Sequence, residues 1–256
     1  MSIKQKMLSG QKIYGTMLRV VRNPAVCILA KNSGLDFVMF DCEYSNYSIE
    51  TLHDLCLMAN AVGLPSLFRA SMLSKDCISR SLDCGASGVM VPMTETRAMA
   101  EEIVRWSKYP PIGERGFAAG GAPTGYKGGV KHAEAMQQGN DSVISIAQIE
   151  TKLAIENAES IAQTPGIDVL LIGPNDLSIS LGVPGDTMCS TMIDAIDHVA
   201  DVCKRNGKAF GIHAGPKLLE KYADRLGFVM MQNDIDILSA GFANIASTLQ
   251  RIVPQQ

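Results

Sequence analysis

The sequence predicts an α/β chain wound as a (β/α)8 barrel. Three observations carry the prediction: eight short apolar runs recur along the chain, most are separated by a helix-type pattern, and no shift in composition breaks the series. A length of 256 residues is ordinary for such a barrel, so residues 1–256 are expected to form a single barrel domain. An open doubly wound sheet is the competing topology. Neither a G-x-G-x-x-G nor a Walker A sequence follows any run, so a nucleotide-binding sheet has no positive support.

In chain order, the run Tyr14–Leu18 precedes a helix over Pro24–Ser33. Phe37–Asp41 leads into Ser48–Val62, capped by Ser48 and stopped at Gly63. Pro65–Arg69 precedes Ser74–Cys84, with Gly85 just past its end. Gly88–Pro92 precedes Thr94–Trp106, opened by the cap-like Thr94-Glu-Thr-Arg. A long Gly/Pro segment, Pro110 to Gly129, then breaks the rhythm, with Arg115, Phe117 and Tyr126 set among glycines. Connections of that length are functional or disordered. An ordered loop folded toward the barrel mouth is the favoured reading, and a flexible surface excursion the other. The alternation resumes with Val143–Glu150 and a helix over Thr151–Gln163, then Asp168–Ile172 and the turn Gly173-Pro-Asn-Asp. Met192–Asn206, Ala209–His213, Pro216–Leu226, Phe228–Gln232 and a closing helix Asp234–Leu249 complete the series.

Bulk properties narrow the class. With 46% apolar and 19% charged residues the chain can bury a full core, which excludes disorder. A net charge of −3 leaves no footprint for nucleic acid or for an anionic membrane. The seven cysteines are odd in number and form no C-x-x-C pair, which fits reduced thiols in a cytoplasmic protein. The amino-terminal Met-Ser-Ile-Lys-Gln-Lys leads to no signal-type apolar stretch, and no apolar run reaches the ~18 residues of a membrane span.

In a parallel barrel the chemistry collects where strands end. Those ends read Arg19; Asp41, Glu43 and Tyr44; Arg69; Met93; Gln148 and Glu150; Asn175 and Asp176; His213; and Gln232 with Asn233. Glu150 and Asp176 lie one strand–helix–strand step apart and are expected as rim neighbours. As a pair they suit a hard cation with open positions, Mg2+ or Mn2+ rather than zinc. The competing reading has each acid capping the turn or helix beside it. Arg69 beside a metal suggests recognition of a carboxylate or other oxyanion, or else a salt bridge closing the rim. The Gly173–Asp176 turn offers backbone N–H groups to a substrate carboxylate. No lysine stands at these ends, and Lys208 precedes its strand, so an imine mechanism is disfavoured.

Five stretches carry a family resemblance: Phe37-Val-Met-Phe-Asp-Cys-Glu43, Val91-Pro-Met93, Tyr109-Pro-Pro-x-Gly-x-Arg-Gly116, Gln148-Ile-Glu-Thr151 and Ile172-Gly-Pro-x-Asp-Leu-Ser178. With them the chain resembles the HpcH/HpaI family of class II, metal-dependent pyruvate aldolases, which cleave 4-hydroxy-2-oxo acids and 2-keto-3-deoxy sugar acids. The resemblance implies a (β/α)8 barrel assembled as a homo-oligomer, trimer or hexamer, with the last helix often exchanged between neighbours. It implies that Glu150 and Asp176 hold Mg2+, Mn2+ or Co2+, and that a 2-oxo acid lies against the Gly173, Pro174, Asn175 and Asp176 backbone. Arg69 would stabilise the enolate, Gln148 would support the metal ligands, and Asp41 belongs to the catalytic group of the Asp-x-Glu motif. Asp83 matches an acid that a neighbouring subunit brings to the site.

One position departs from the pattern. Family members read Asp-x-Glu-His, the histidine serving as acid and base, whereas this chain reads Asp41-Cys42-Glu43-Tyr44. A phenol with a pKa near 10 is only about 0.1% ionised at neutral pH, a poor base. Three explanations stand: Tyr44 acts as a phenol acid; His213 supplies the imidazole from another strand end; or the reaction needs no base, as in decarboxylation of a 2-oxo diacid. A catalytically weak protein that binds metal and 2-oxo acids is the alternative of a different class.

Overall fold

The computed structural model describes residues 2–253. Eight parallel strands close in sequence order into a barrel: β1 (Ile13–Leu18), β2 (Phe37–Asp41), β3 (Ser66–Arg69), β4 (Gly88–Val91), β5 (Ile144–Ile149), β6 (Val169–Ile172), β7 (Ala209–His213) and β8 (Phe228–Asn233). The open sheet is thereby excluded, since β1 pairs with both β2 and β8. Side chains alternate along each strand with a period of two, and this alternation explains the mouth. Phe37 and Met39 point into the barrel, so Asp41 does too; Ile144 and Ile146 are followed by Gln148, and Leu67 by Arg69. Apolar side chains thus fill the lower interior, and polar ones succeed them at the top. Gly15 makes room for Phe37, because a Cβ there would overlap the Phe37 ring, which packs on Phe228 with centroids 4.6 Å apart.

A short helix α1 (Ile3–Leu8) closes the lower end, burying Ile3 and Met7 in the interior cluster. Beside it Lys4 pairs with Asp168 at 2.8 Å, and the buried Lys108 amine donates to the carbonyls of Asn140 and Val143. Burial pulls the Lys108 pKa down to about 7 despite the nearby Asp168. Lys208 lies at this end too, donating to the Ile167 carbonyl at 2.8 Å, as its place before β7 requires.

The helices α2 (Ala25–Asn32), α3 (Ile49–Ala61), α4 (Lys75–Asp83) and α5 (Arg97–Ser107) surround the first half. Ser48, Ser74 and Thr96 accept backbone N–H groups at the starts of α3, α4 and α5. The segment after α5 corrects an expectation: it is ordered but does not approach the mouth. It joins a helix end to the start of β5, and in a barrel such connections lie opposite the strand ends. Phe117 packs on Tyr109 and His132 there, Tyr126 bonds His53 at 2.6 Å, and Arg115 bonds Asp83 at 2.6 Å. Its last part forms α6 (His132–Ser142), which the polar sequence concealed.

The expected Thr151–Gln163 helix is two pieces, α7 (Lys152–Glu156) and α8 (Ala158–Ala162), broken at Asn157, whose amide donates to the Glu95 carbonyl at 2.9 Å. The Gly173 turn opens α9 (Pro174–Ser180), and α10 (Ser190–Arg205) and α11 (Pro216–Lys221) follow. The last helix α12 (Asp234–Ile252) buries only Asp234 and leaves Leu238, Phe242, Ile245, Leu249 and Ile252 exposed along one side. No helix among the described residues is long and apolar enough to cross a membrane, and all seven cysteines are free thiols.

Candidate active site

The mouth is built around Asp41, fully buried at the end of β2. Its carboxylate accepts from Arg69 Nε at 2.9 Å and Nη2 at 2.7 Å, a fork made possible because Asp41 and Arg69 are register partners on β2 and β3. The backbone N–H groups of Glu43 and Tyr44 also donate to it, at 3.0 and 3.2 Å. Arg69 Nη1 reaches Glu43 Oε2 at 2.9 Å. Arg69 is therefore held on two acids, which raise its pKa against the lowering effect of burial.

Glu150 follows β5 and is 2% exposed. Its Oε1 accepts from the Met93 N–H at 2.7 Å, and its Oε2 from Gln148 Nε2 at 2.6 Å. Met93 reaches that position through a left-handed backbone, φ +50°. Burial pushes the Glu150 pKa up to about 7, with the charges of Asp176 and Glu43 adding to the rise and Arg69 opposing it. Asp176 stands in the first turn of α9 and is half-buried. Gly173 must lack a side chain: a Cβ would come within 2.5 Å of Glu150 Oε2 and 2.8 Å of Gln148 Nε2. Gly173→Ala should therefore turn the Glu150 carboxylate aside and weaken Mn2+ binding about 10- to 100-fold, as loss of a supporting contact does elsewhere. Titration of Mn2+ against both proteins checks this, and equal affinities would show that Glu150 is not a ligand.

The chemistry of these residues suits a divalent cation. Glu150 is buried where the charge of Asp176 further raises its pKa, and Gln148 Oε1 is buried with no donor. A cation would relieve the first condition, and a water in its shell could donate to the second. Among the described residues no group of three or more His, Cys, Asp or Glu side chains converges on one point, so such an ion would rest on the two carboxylates with its other positions open.

His213 ends β7, and its Nε2 lies 2.9 Å from the carbonyl of Gln232, itself left-handed at φ +58°. A carbonyl only accepts, so Nε2 carries the proton and Nδ1 keeps a lone pair. Burial lowers the His213 pKa below its usual value. Tyr44 is 56% exposed, and its ring stacks with the guanidinium of Arg69 at 4.8 Å and that of Arg19 at 5.8 Å. Partial burial and the neighbouring acids Glu43 and Asp176 raise the phenol above its ordinary value, so still less of it is ionised and available as a base at neutral pH.

A cavity of about 280 Å3 brings together Tyr44, Arg69, Gln148, Gly173, Pro174, Asn175, Asp176 and His213. A larger one of about 670 Å3 adjoins it, sharing Pro174, Asn175, His213 and Asn233. Of the residues named for catalysis or binding, Asp83 lies elsewhere, at the end of α4 and bonded to Arg115. Phe117, in the loop expected to fold toward the mouth, packs on Tyr109 at the opposite end, for the reason given above. Two participants carried no role in the sequence reading. Arg19 directly follows β1 and lines the cavity; Asp234 ties the β1–α2 connection by accepting the N–H groups of Arg19, Val20 and Val21. The place of Arg19 at a strand end was the available signal, and for Asp234 there was none.

Comparison with known proteins agrees with this geometry. Residues 18–240 match the family model described as HpcH/HpaI aldolase/citrate lyase. A 2-keto-3-deoxy-L-rhamnonate aldolase of Klebsiella pneumoniae is 34% identical over 85% of this chain and 81% of its own length. A 2-dehydro-3,6-dideoxy-6-sulfogluconate aldolase of Pseudomonas putida is 33% identical over 80% of each chain. Among solved structures, an HpcH/HpaI aldolase from Desulfitobacterium hafniense superposes with a TM-score of 0.93 at 31% identity, covering 98% of this chain and 97% of that one. With a closed eight-stranded barrel, a strand-end acid pair and a family match across most of its length, the chain belongs to the HpcH/HpaI aldolase/citrate lyase family.

Proposed function

We propose that this protein is a divalent-metal-dependent carbon–carbon lyase that cleaves a 4-hydroxy-2-oxo acid to pyruvate and an aldehyde. The observation that carries the reading is the buried Glu150 carboxylate, held by Met93 and by Gln148, which itself lines a cavity together with Asp176 and Arg69. Glu150 and Asp176 would hold Mg2+, Mn2+ or Co2+, which when bound polarises the keto group of the substrate. The 2-oxo acid carboxylate would lie on the Gly173–Asp176 backbone, and Arg69 would face the charge that develops on the enolate. In the cleavage direction a base removes the 4-hydroxyl proton, the C3–C4 bond breaks, and its electron pair enters the pyruvate enolate. A proton delivered to C3 then completes pyruvate.

His213 is the group best placed for that proton, with a free Nδ1 in the same cavity. Because burial lowers its pKa, the ring is neutral and basic at pH 7, and activity should fall only as pH drops below the ordinary histidine value. His213→Asn should slow deuterium exchange into the pyruvate methyl by about 10²- to 10⁴-fold, read by NMR with Mn2+ present. An undiminished exchange rate would remove the imidazole and return the role to Tyr44.

A second reading, decarboxylation of a 2-oxo diacid, is favoured by one observation: a weakly basic Tyr44 in the place of the family histidine. Departure of CO2 makes the enolate without proton abstraction. Oxaloacetate turnover with no C3 exchange in pyruvate would support it. The exposed apolar side of α12 further supports a homo-oligomer, and Asp83, remote within one chain, would enter a site only from a second copy. The free thiols support a reducing compartment such as the cytoplasm.

A further inference from the structure

We propose that Arg19 recognises a second carboxylate on the substrate, so that this mouth prefers 2-oxo diacids over 2-oxo monoacids. The inference rests on the reading of Glu150, Asp176 and the Gly173 turn as the binding place of the 2-oxo acid end. Two guanidinium groups line the cavity, and they are not equivalent. Arg69 is forked onto Asp41 through Nε and Nη2, with Nη1 in ion-pair contact with Glu43. Arg19 makes no such fork. Its Nε is buried and comes within 3.3 Å of Asp41 Oδ2, close enough for attraction but off the hydrogen-bond line, and it has no partner. Asp41 already serves four other donors, two of Arg69 and the N–H groups of Glu43 and Tyr44, and has little left to offer. Arg19 Nη2 makes a single long contact, 3.4 Å, to the Tyr44 carbonyl, and Nη1 has no partner among the described residues.

The guanidinium is nevertheless held in place. Asp234 fixes the Arg19 backbone, and the Tyr44 ring stacks with the side chain at 5.8 Å. Its side chain is 30% exposed, which leaves it open to a ligand. Around the barrel β1 stands three strands from β6, so Arg19 faces the far end of a molecule anchored at Gly173–Asp176. A cavity of about 280 Å3 lies at the small end of ordinary ligand sites and suits a compact acid. A planar fork with unspent donors at that distance matches a carboxylate, which it can take with two parallel bonds.

The test compares 2-oxopentanedioate with 2-oxopentanoate, which share chain length and differ only in the terminal carboxylate. Calorimetric titration of the Mn2+-loaded protein should show the diacid binding about 10- to 100-fold more tightly, the range expected for a charge-assisted pair. Arg19→Gln should bring the ratio of the two affinities close to one, and Arg19→Lys should keep part of the preference. Equal binding of both acids by the unaltered protein overturns the proposal. So does an Arg19→Gln protein whose two affinities fall together with their ratio unchanged, since Arg19 would then only brace Asp41. If neither acid binds in the presence of Mn2+, the reading of Glu150 and Asp176 falls, and the proposal falls with it.

Discussion

Glu150→Gln is expected to abolish Mn2+ binding at the site and to lower turnover by about 10³-fold or more, the several kcal/mol that a polarising cation contributes. The substitution is close to isosteric, so the effect isolates charge. The new amide oxygen can still accept from Met93, and Gln148 can turn so that its unpartnered Oε1 accepts from the new amide nitrogen. The fold should therefore persist while the cation site does not. Manganese titration followed by electron paramagnetic resonance, together with a coupled pyruvate assay, reads both effects. Unchanged affinity or an unchanged rate would show that the carboxylate holds no metal.

Asp41→Ala should act first on stability, costing about 3–5 kcal/mol as expected when one partner of a buried ion pair is removed. Arg69 would remain almost fully buried with only Glu43 to balance it, and the N–H groups of Glu43 and Tyr44 would lose their acceptor. A lower denaturation midpoint at unchanged slope is the expected result of chemical unfolding. A midpoint equal to that of the unaltered protein would mean that the Asp41–Arg69 fork is not a strut of the rim. This prediction also separates two roles that sequence alone merges, because Asp41 is here the post on which Arg69 is mounted rather than a group free to meet substrate.

The barrel was legible because its strands are short, apolar and regularly spaced, and because a period of two carries each inward face up to a polar residue at the rim. Asp41, Arg69 and Gln148 follow from that arithmetic alone. What escaped was structure without a periodic signature. The helix α9 has seven residues and begins at proline, so it reads as a turn; α6 carries Gly139 and little apolar face; the break at Asn157 depends on a carbonyl distant in sequence. The Pro110–Gly129 segment shows a different limit. Its composition marks it as unusual, but its side of the barrel is set by the direction of the elements it joins. The standing of Arg19 was hidden for yet another reason: whether a donor is spent depends on how many others share its acceptor.

Met93 and Gln232 occupy backbone conformations, φ +50° and +58°, that side-chain-bearing residues seldom adopt, and neither is glycine or asparagine. Such torsions cost about 1–3 kcal/mol each and persist where the surroundings over-determine them. Here the peptide of one aims a carboxylate and the carbonyl of the other aims an imidazole. Drift toward glycine at these points would relax the chain and toughen the molecule, while letting both side chains wander. Durability and aim are thus opposed at two points of the rim, and the most heat-tolerant form of this barrel would not be the one that holds those two groups most firmly.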